Sequence, residues 1–132
     1  RKEREKGEEK MTTINSILVQ EVPKGKHTKF VLGKLGEAPF LLASGFYSNH
    51  AESLRLFLTN NGTDFETENE IPKLSGTDYQ VVAMGLLRRE GDVLLVYKNQ
   101  ESPEYRMGVR EEDILLIQEQ LNEQGITRVA FI

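Results

Sequence analysis

The sequence predicts an α+β domain, one mixed β-sheet of five to six strands with two helices packed on it. Three observations carry that prediction. Six short runs have strand-like composition, two longer stretches repeat apolar residues at helical spacing, and the runs follow the order β-β-β-α-β-β-α-β. A sheet with two amphipathic helices laid on it buries both apolar stripes at once.

Residues 1–10 contain no apolar side chain and have nothing to bury against the entropy of ordering. They are expected to be a disordered charged tail, with a docking arm as the alternative, and residues 11–132 are expected to form the single domain. The first strand is expected at Ser16–Val22, ended by Pro23-Lys-Gly25, and the second at Lys29–Leu35. Gly36-Glu-Ala-Pro39 reads as a hairpin connection into Phe40–Ser44. The first helix begins near Ser48-Asn49, with Glu52 placed to close a capping box on Asn49. Its apolar face is Ala51, Leu54, Phe57 and Leu58, and Asn60-Asn-Gly62 ends it.

Residues 63–78 are polar and acidic and read as a surface excursion. Tyr79–Leu87 and Val93–Tyr97 flank Glu90-Gly-Asp92 as a β-hairpin. Lys98–Val109 is a loop, and the second helix runs from about Arg110 to Gln124. Glu111, Glu112 and Asp113 suit its N-terminus, Ile114, Ile117 and Leu121 form its stripe, and Gly125 falls at C′. Ile126–Ile132 is the last strand. The expected core is Leu54, Phe57, Leu58, Ile114, Ile117 and Leu121.

Composition narrows the function classes. The chain has 132 residues, of which 38% are hydrophobic and 29% charged, as in an ordinary single globular domain. A formal net charge of -4 disfavours a nucleic-acid partner. The absence of cysteine removes disulfides, thiolate metal sites and thiol nucleophiles. With His27 and His50 the only histidines, no metal is expected. No apolar run approaches the length of a membrane span, and no secretory signal is visible, so no membrane partner and a cytoplasmic location are expected. Oligomeric state is not legible.

His50 is the sharpest chemical candidate. It falls in the first turn of a predicted helix, after the loop Gly45-Phe-Tyr-Ser-Asn49, where converging amide N–H groups attract anions. An imidazole held neutral there by the helix dipole can attack a phosphoryl group or take a proton from its attacker. Spacing alone describes a surface histidine beside a helix cap better than a reacting group. Lys29, Arg88, Arg89 and Arg106 offer cations suited to phosphate, although an exposed strand or turn charge is the commoner explanation for each one separately. The Lys24–Lys29 stretch around His27 reads as a solvated turn. Ser102-Pro-Glu-Tyr105-Arg-Met-Gly108 has the composition of an anion-binding loop, although Glu111, Glu112 and Asp113 already occupy the helix N-terminus behind it. Gly33-Lys-Leu-Gly36 is too short for a P-loop.

Several segments fall in a suggestive order: Lys29-Phe-Val-Leu32, Gly45-Phe46, His50-Ala51-Glu52, Gly85, Val96-Tyr97, and Ser102-Pro-Glu-Tyr105 with Gly108. Over about residues 29–132 this order resembles the Janus/phosphohistidine phosphatase family. The resemblance implies a small single domain with a mixed sheet and two helices. It also implies His50 as general base or nucleophile, and Lys29, Arg88, Ser102 and Tyr105 as phosphate contacts. The chain departs from the family pattern where Val109-Arg110 stand in place of a histidine and where the glycine run is reduced to Gly85. The expected function is therefore that of a metal-independent, cofactor-free phosphatase-like domain acting on a phosphorylated protein side chain, phosphohistidine included. The alternative is a non-catalytic protein-interaction or small anionic-ligand-binding module on the same fold.

Overall fold

The structure is a computed structural model that describes residue 25, residues 27–43 and residues 49–132. The expected tail, the expected strand Ser16–Val22 and the loop ahead of Asn49 lie outside the described residues.

A five-stranded mixed sheet forms the frame. In chain order its strands are β1 (His27–Leu35), β2 (Ala38–Ala43), β5 (Tyr79–Glu90), β6 (Val93–Tyr97) and β7 (Val129–Phe131), arranged β2-β1-β5-β6-β7. Every pairing is antiparallel except β6 with β7. Helix α1 (His50–Asn60) lies on one face and α2 (Ile114–Glu123) on the other. One mixed sheet carrying two helices is the expected α+β architecture.

Side-chain alternation divides the core between the faces. Phe30, Leu32, Leu41, Ala83, Leu87, Leu94 and Val96 meet Ile117 and Leu121 of α2. Val31, Phe40, Leu42, Val81 and Met84 meet Leu54, Phe57 and Leu58 of α1. The Phe40 and Phe57 rings lie 4.3 Å apart. Both sheet faces are therefore dry under the helices, which explains why the inner strands carry long apolar runs instead of strict alternation.

The helix ends form as their residues dictate. Asn49 caps α1, its side chain accepting the Glu52 N–H at 2.7 Å. Gly62, at φ 67°, closes the helix as the N–H of Thr63 donates to Leu58 O and that of Gly62 to Thr59 O. Gly125, at φ 86°, does the same for α2, with Ile126 N–H on Leu121 O and Gly125 N–H on Asn122 O.

Several details differ from the sequence expectation, among them the last strand, which is Val129–Phe131 instead of Ile126–Ile132. The hairpin turn after β1 is only Gly36-Glu37, and Ala38 and Pro39 already pair with Leu35 and Lys34. The stretch 63–78 holds a small hairpin, β3 (Thr67–Glu68) with β4 (Ile71–Pro72), turning through Asn69 and Glu70 at φ 55° and 71°. Residues Glu111–Asp113 form a 3₁₀ turn ahead of α2, so the helix proper starts at Ile114. Ile114 is consequently half-buried at the helix start instead of in the core, while the other five expected core residues are buried.

Gly33 has a structural task. The β1–β5 register shifts between Leu32 and Gly33, leaving Val82 as the extra residue of a β-bulge. A Cβ at Gly33 would lie 2.6 Å from the Gln80 carbonyl oxygen. The bulge rephases β5, so that both Val81 and Met84 reach the α1 face.

The packing yields a stability prediction. Phe57→Ala, in the middle of the α1 core, should cost about 3–5 kcal/mol in urea unfolding. Leu56→Ala, on a side chain 48% exposed, should stay within about 0.5 kcal/mol of wild type. Equal costs would contradict the assigned helix face.

Candidate functional site

The length mismatch between two neighbouring strands creates the site. β5 runs for 12 residues and β6 for 5, and their ladder begins only at Leu86, paired with Tyr97. Residues 79–85 thus have β1 on one side and no β6 on the other. The loop after β6 occupies that edge, where the Met84 N–H reaches the carbonyl of Gly108 at 3.4 Å. The loop is closed internally by the N–H of Ser102 on Met107 O and that of Arg106 on Ser102 O. It carries Ser102, Glu104 and Tyr105 toward the first turn of α1.

His50 is the first residue of α1 and is 2% exposed. Its Nε2–H donates to the carbonyl of Gly85, the last β5 residue before the β6 ladder, at 3.0 Å. That bond fixes the tautomer and leaves the lone pair on Nδ1. Nδ1 is buried and has no hydrogen-bond partner among the described residues. It faces the carboxylate of Glu104, whose Oε1 lies 3.7 Å away. The same Oε1 accepts the Ser102 hydroxyl at 2.9 Å.

Burial pushes the His50 pKa below its ordinary value of 6.5, and the Lys29 ammonium pushes the same way. The hydrogen bond to Gly85 and the Glu104 carboxylate oppose them without prevailing. The ring is neutral at pH 7, as expected from the sequence, although desolvation leads where the helix dipole was anticipated.

The structure brings some of the expected residues together and separates others. Lys29 lies on the His50 face of the sheet, since it shares the parity of Val31, and its charge is felt at the ring. Ser102 is fully buried, one carboxylate away from Nδ1. Arg88 is on that face too, but opposite His27, two residues beyond Leu86, the partner of Lys29. Its guanidinium is paired with Glu90 at 2.7 Å. The Tyr105 hydroxyl points away and donates to Pro72 O at 2.6 Å. Burial, ahead of nearby Tyr79 and Glu104, pushes its pKa up to about 12, so it stays a neutral donor.

Two participants were invisible in the sequence. The Gly85 carbonyl is a backbone group and leaves no residue signature. Glu104 is one of many glutamates, and only its place two residues after Ser102 hints at a role. The acidic run before α2 does act as a cap. Asp113, 2% exposed, accepts the Arg110 backbone N–H at 2.8 Å and two guanidinium bonds at 2.8 and 3.0 Å. Among the described residues, no three His, Cys, Asp or Glu side chains are placed to hold a metal ion. No helix among them is long and apolar enough to cross a membrane. His27 is exposed and hydrogen-bonds Tyr97 Oη at 3.3 Å, at the start of β1 and opposite Arg88.

Compared with models of known protein families and with curated proteins, the chain has no match.

The lowered pKa gives a pH prediction. As pH falls, the unfolded chain protonates His50 before the folded chain does, so His50 withdraws stability below pH 6.5, down to its folded pKa. At neutral and alkaline pH it has no such effect. Urea unfolding of wild type and His50→Asn across pH should show the wild-type advantage shrinking as pH drops through that window. Parallel curves would contradict the depressed pKa.

Proposed function

We propose that the domain is a metal-independent, phosphatase-like enzyme acting on a phosphorylated protein side chain, with His50 Nδ1 as the reacting atom. The single observation that carries this reading is the Nε2–H bond to Gly85 O, which fixes a neutral, buried imidazole with its lone pair on Nδ1. Such a lone pair can attack phosphorus or take the proton of a water that does so. In the first case the bond from phosphorus to the leaving side chain breaks as the bond to Nδ1 forms, and water then hydrolyses the phospho-imidazole. The Lys29 ammonium and the Ser102 hydroxyl are the nearby groups suited to phosphoryl oxygens. Phosphohistidine is one substrate within this class. The resemblance over residues 29–132 supports the same assignment.

A second reading is favoured by a different observation. The Glu104 carboxylate stands 3.7 Å in front of Nδ1, and only 2% of His50 is exposed, which suits a non-catalytic interaction or ligand-binding module.

Phosphate release from a phosphohistidine substrate and from an aryl phosphate, in EDTA, separates the two. Catalysis predicts turnover in wild type and in His27→Ala, with a loss of about 10²–10⁴-fold in His50→Ala. A binding module predicts no turnover in any of the three folded proteins. Equal loss in both variants would remove His50 from the reaction.

A further inference from the structure

We infer that the Glu104 carboxylate is a built-in occupant of the His50 site, a specificity-determining group that an anionic ligand must displace. The inference rests on the reading of Nδ1 as the atom that meets the anion.

Position and partners both point this way. Glu104 Oε1 accepts the Ser102 hydroxyl at 2.9 Å, the donor best placed for a phosphoryl oxygen. It also lies 3.7 Å from Nδ1, the space in which a phosphoryl group would approach that lone pair. A carboxylate and a phosphoryl group cannot share it, because both are anionic and both are acceptors.

Neutral Nδ1 has only a lone pair to offer, so the two acceptors do not bond to each other. Ser102 is the only side chain that donates to Glu104 among the described hydrogen bonds. Nδ1 has no hydrogen-bond partner among the described residues, a state it shares with the buried Thr28 Oγ1, Ser53 Oγ and Arg88 Nε, and it faces the Glu104 carboxylate at 3.7 Å.

The carboxylate also has a place to go. The Glu104 side chain is 24% exposed, whereas the His50 side chain is 3% exposed. Glu104 lines a cleft of about 440 Å³ between the β3–β4 hairpin and the 98–109 loop, with Asn69, Pro72, Lys73, Ser75 and Tyr105 on the other walls. Rotation of the side chain into that cleft is the displacement the inference requires. The Tyr105 hydroxyl, tied to Pro72 O, keeps the loop in place while the neighbouring side chain moves.

Titration with inorganic phosphate, followed by the NMR signals of the His50 ring, tests the inference in wild type, Glu104→Ala and Glu104→Gln. Removing the charge should tighten phosphate binding at His50 by roughly tenfold or more in Glu104→Ala. Glu104→Gln, which keeps the shape and an acceptor for Ser102, should fall between Glu104→Ala and wild type. Equal affinity in all three proteins overturns the inference, as does a phosphate response that bypasses the His50 ring. If Glu104→Ala fails to fold, Glu104→Gln decides alone, and no gain over wild type overturns the inference.

Failure of the catalytic reading looks different. Tight phosphate binding at His50 in Glu104→Ala without turnover sustains the displaced carboxylate and removes catalysis. Turnover that is equal in wild type and both variants sustains catalysis and removes the displaced carboxylate. Binding of methylguanidinium to wild type, lost in Glu104→Gln, with no phosphate binding to either, would reassign the site to cations and overturn the inference.

Discussion

Strand β5 is the element on which the rest depends. It pairs with β1 from Tyr79 to Arg88 and with β6 from Leu86 to Glu90, and its side chains enter both cores. β5 is buried on both faces, and from Leu86 to Arg88 it is paired on both edges. The stretch 79–85, without a β6 partner, still has backbone polar groups that must be satisfied. Two of them organise the site. The Gly85 carbonyl takes the His50 Nε2–H, and the Met84 N–H turns to Gly108. The imidazole and the loop that covers it are thus fixed to the same two consecutive residues.

Gly85 shows how tightly this is drawn. A Cβ there would meet the Phe30 ring at 2.8 Å and Val109 at 3.3 Å, on the α2 side of the sheet. The missing side chain lets the Phe30 ring cross over the strand, while the carbonyl of the same residue serves His50. One glycine therefore couples the packing of one core to the tautomer of a histidine in the other layer.

Much of this fold was legible because local chemistry and tertiary demand agree. Asn49, Gly62 and Gly125 cap helices whose apolar stripes match the sheet faces, and the β5–β6 hairpin turns at Gly91-Asp92. The β3–β4 hairpin was not legible, since its strands have two residues each and its left-handed turn is Asn69-Glu70, without glycine. What holds it is tertiary: the Arg55 guanidinium of α1 donates to Glu70 O at 2.6 Å. The site followed the same division. His50 and Lys29 could be read from their places on a helix start and a strand, whereas Glu104 depends on the path of a loop. Tyr105 is the instructive case, a residue with a hydroxyl in a suggestive loop whose oxygen is bound to Pro72 and whose ring sits against the α1 core.

The pairing of His50 with Glu104 is a poor way to stabilise a domain. Burying an imidazole costs solvation, and here the cost is recovered at Nε2 but not at Nδ1. An apolar side chain of similar volume would remove the orphaned Nδ1, at the cost of the donor that His50 gives the Gly85 carbonyl. A half-buried carboxylate with one hydroxyl donor is likewise undersupplied, compared with Asp113 and its three bonds to Arg110. The fold thus gives a buried acid three bonds where the task is capping, and in front of β5 leaves the His50 Nδ1 without a donor beside a carboxylate held by one hydroxyl. That contrast, an acid used for capping and an acid beside an orphaned imidazole nitrogen, is the physical ground on which the His50 corner is proposed as a site.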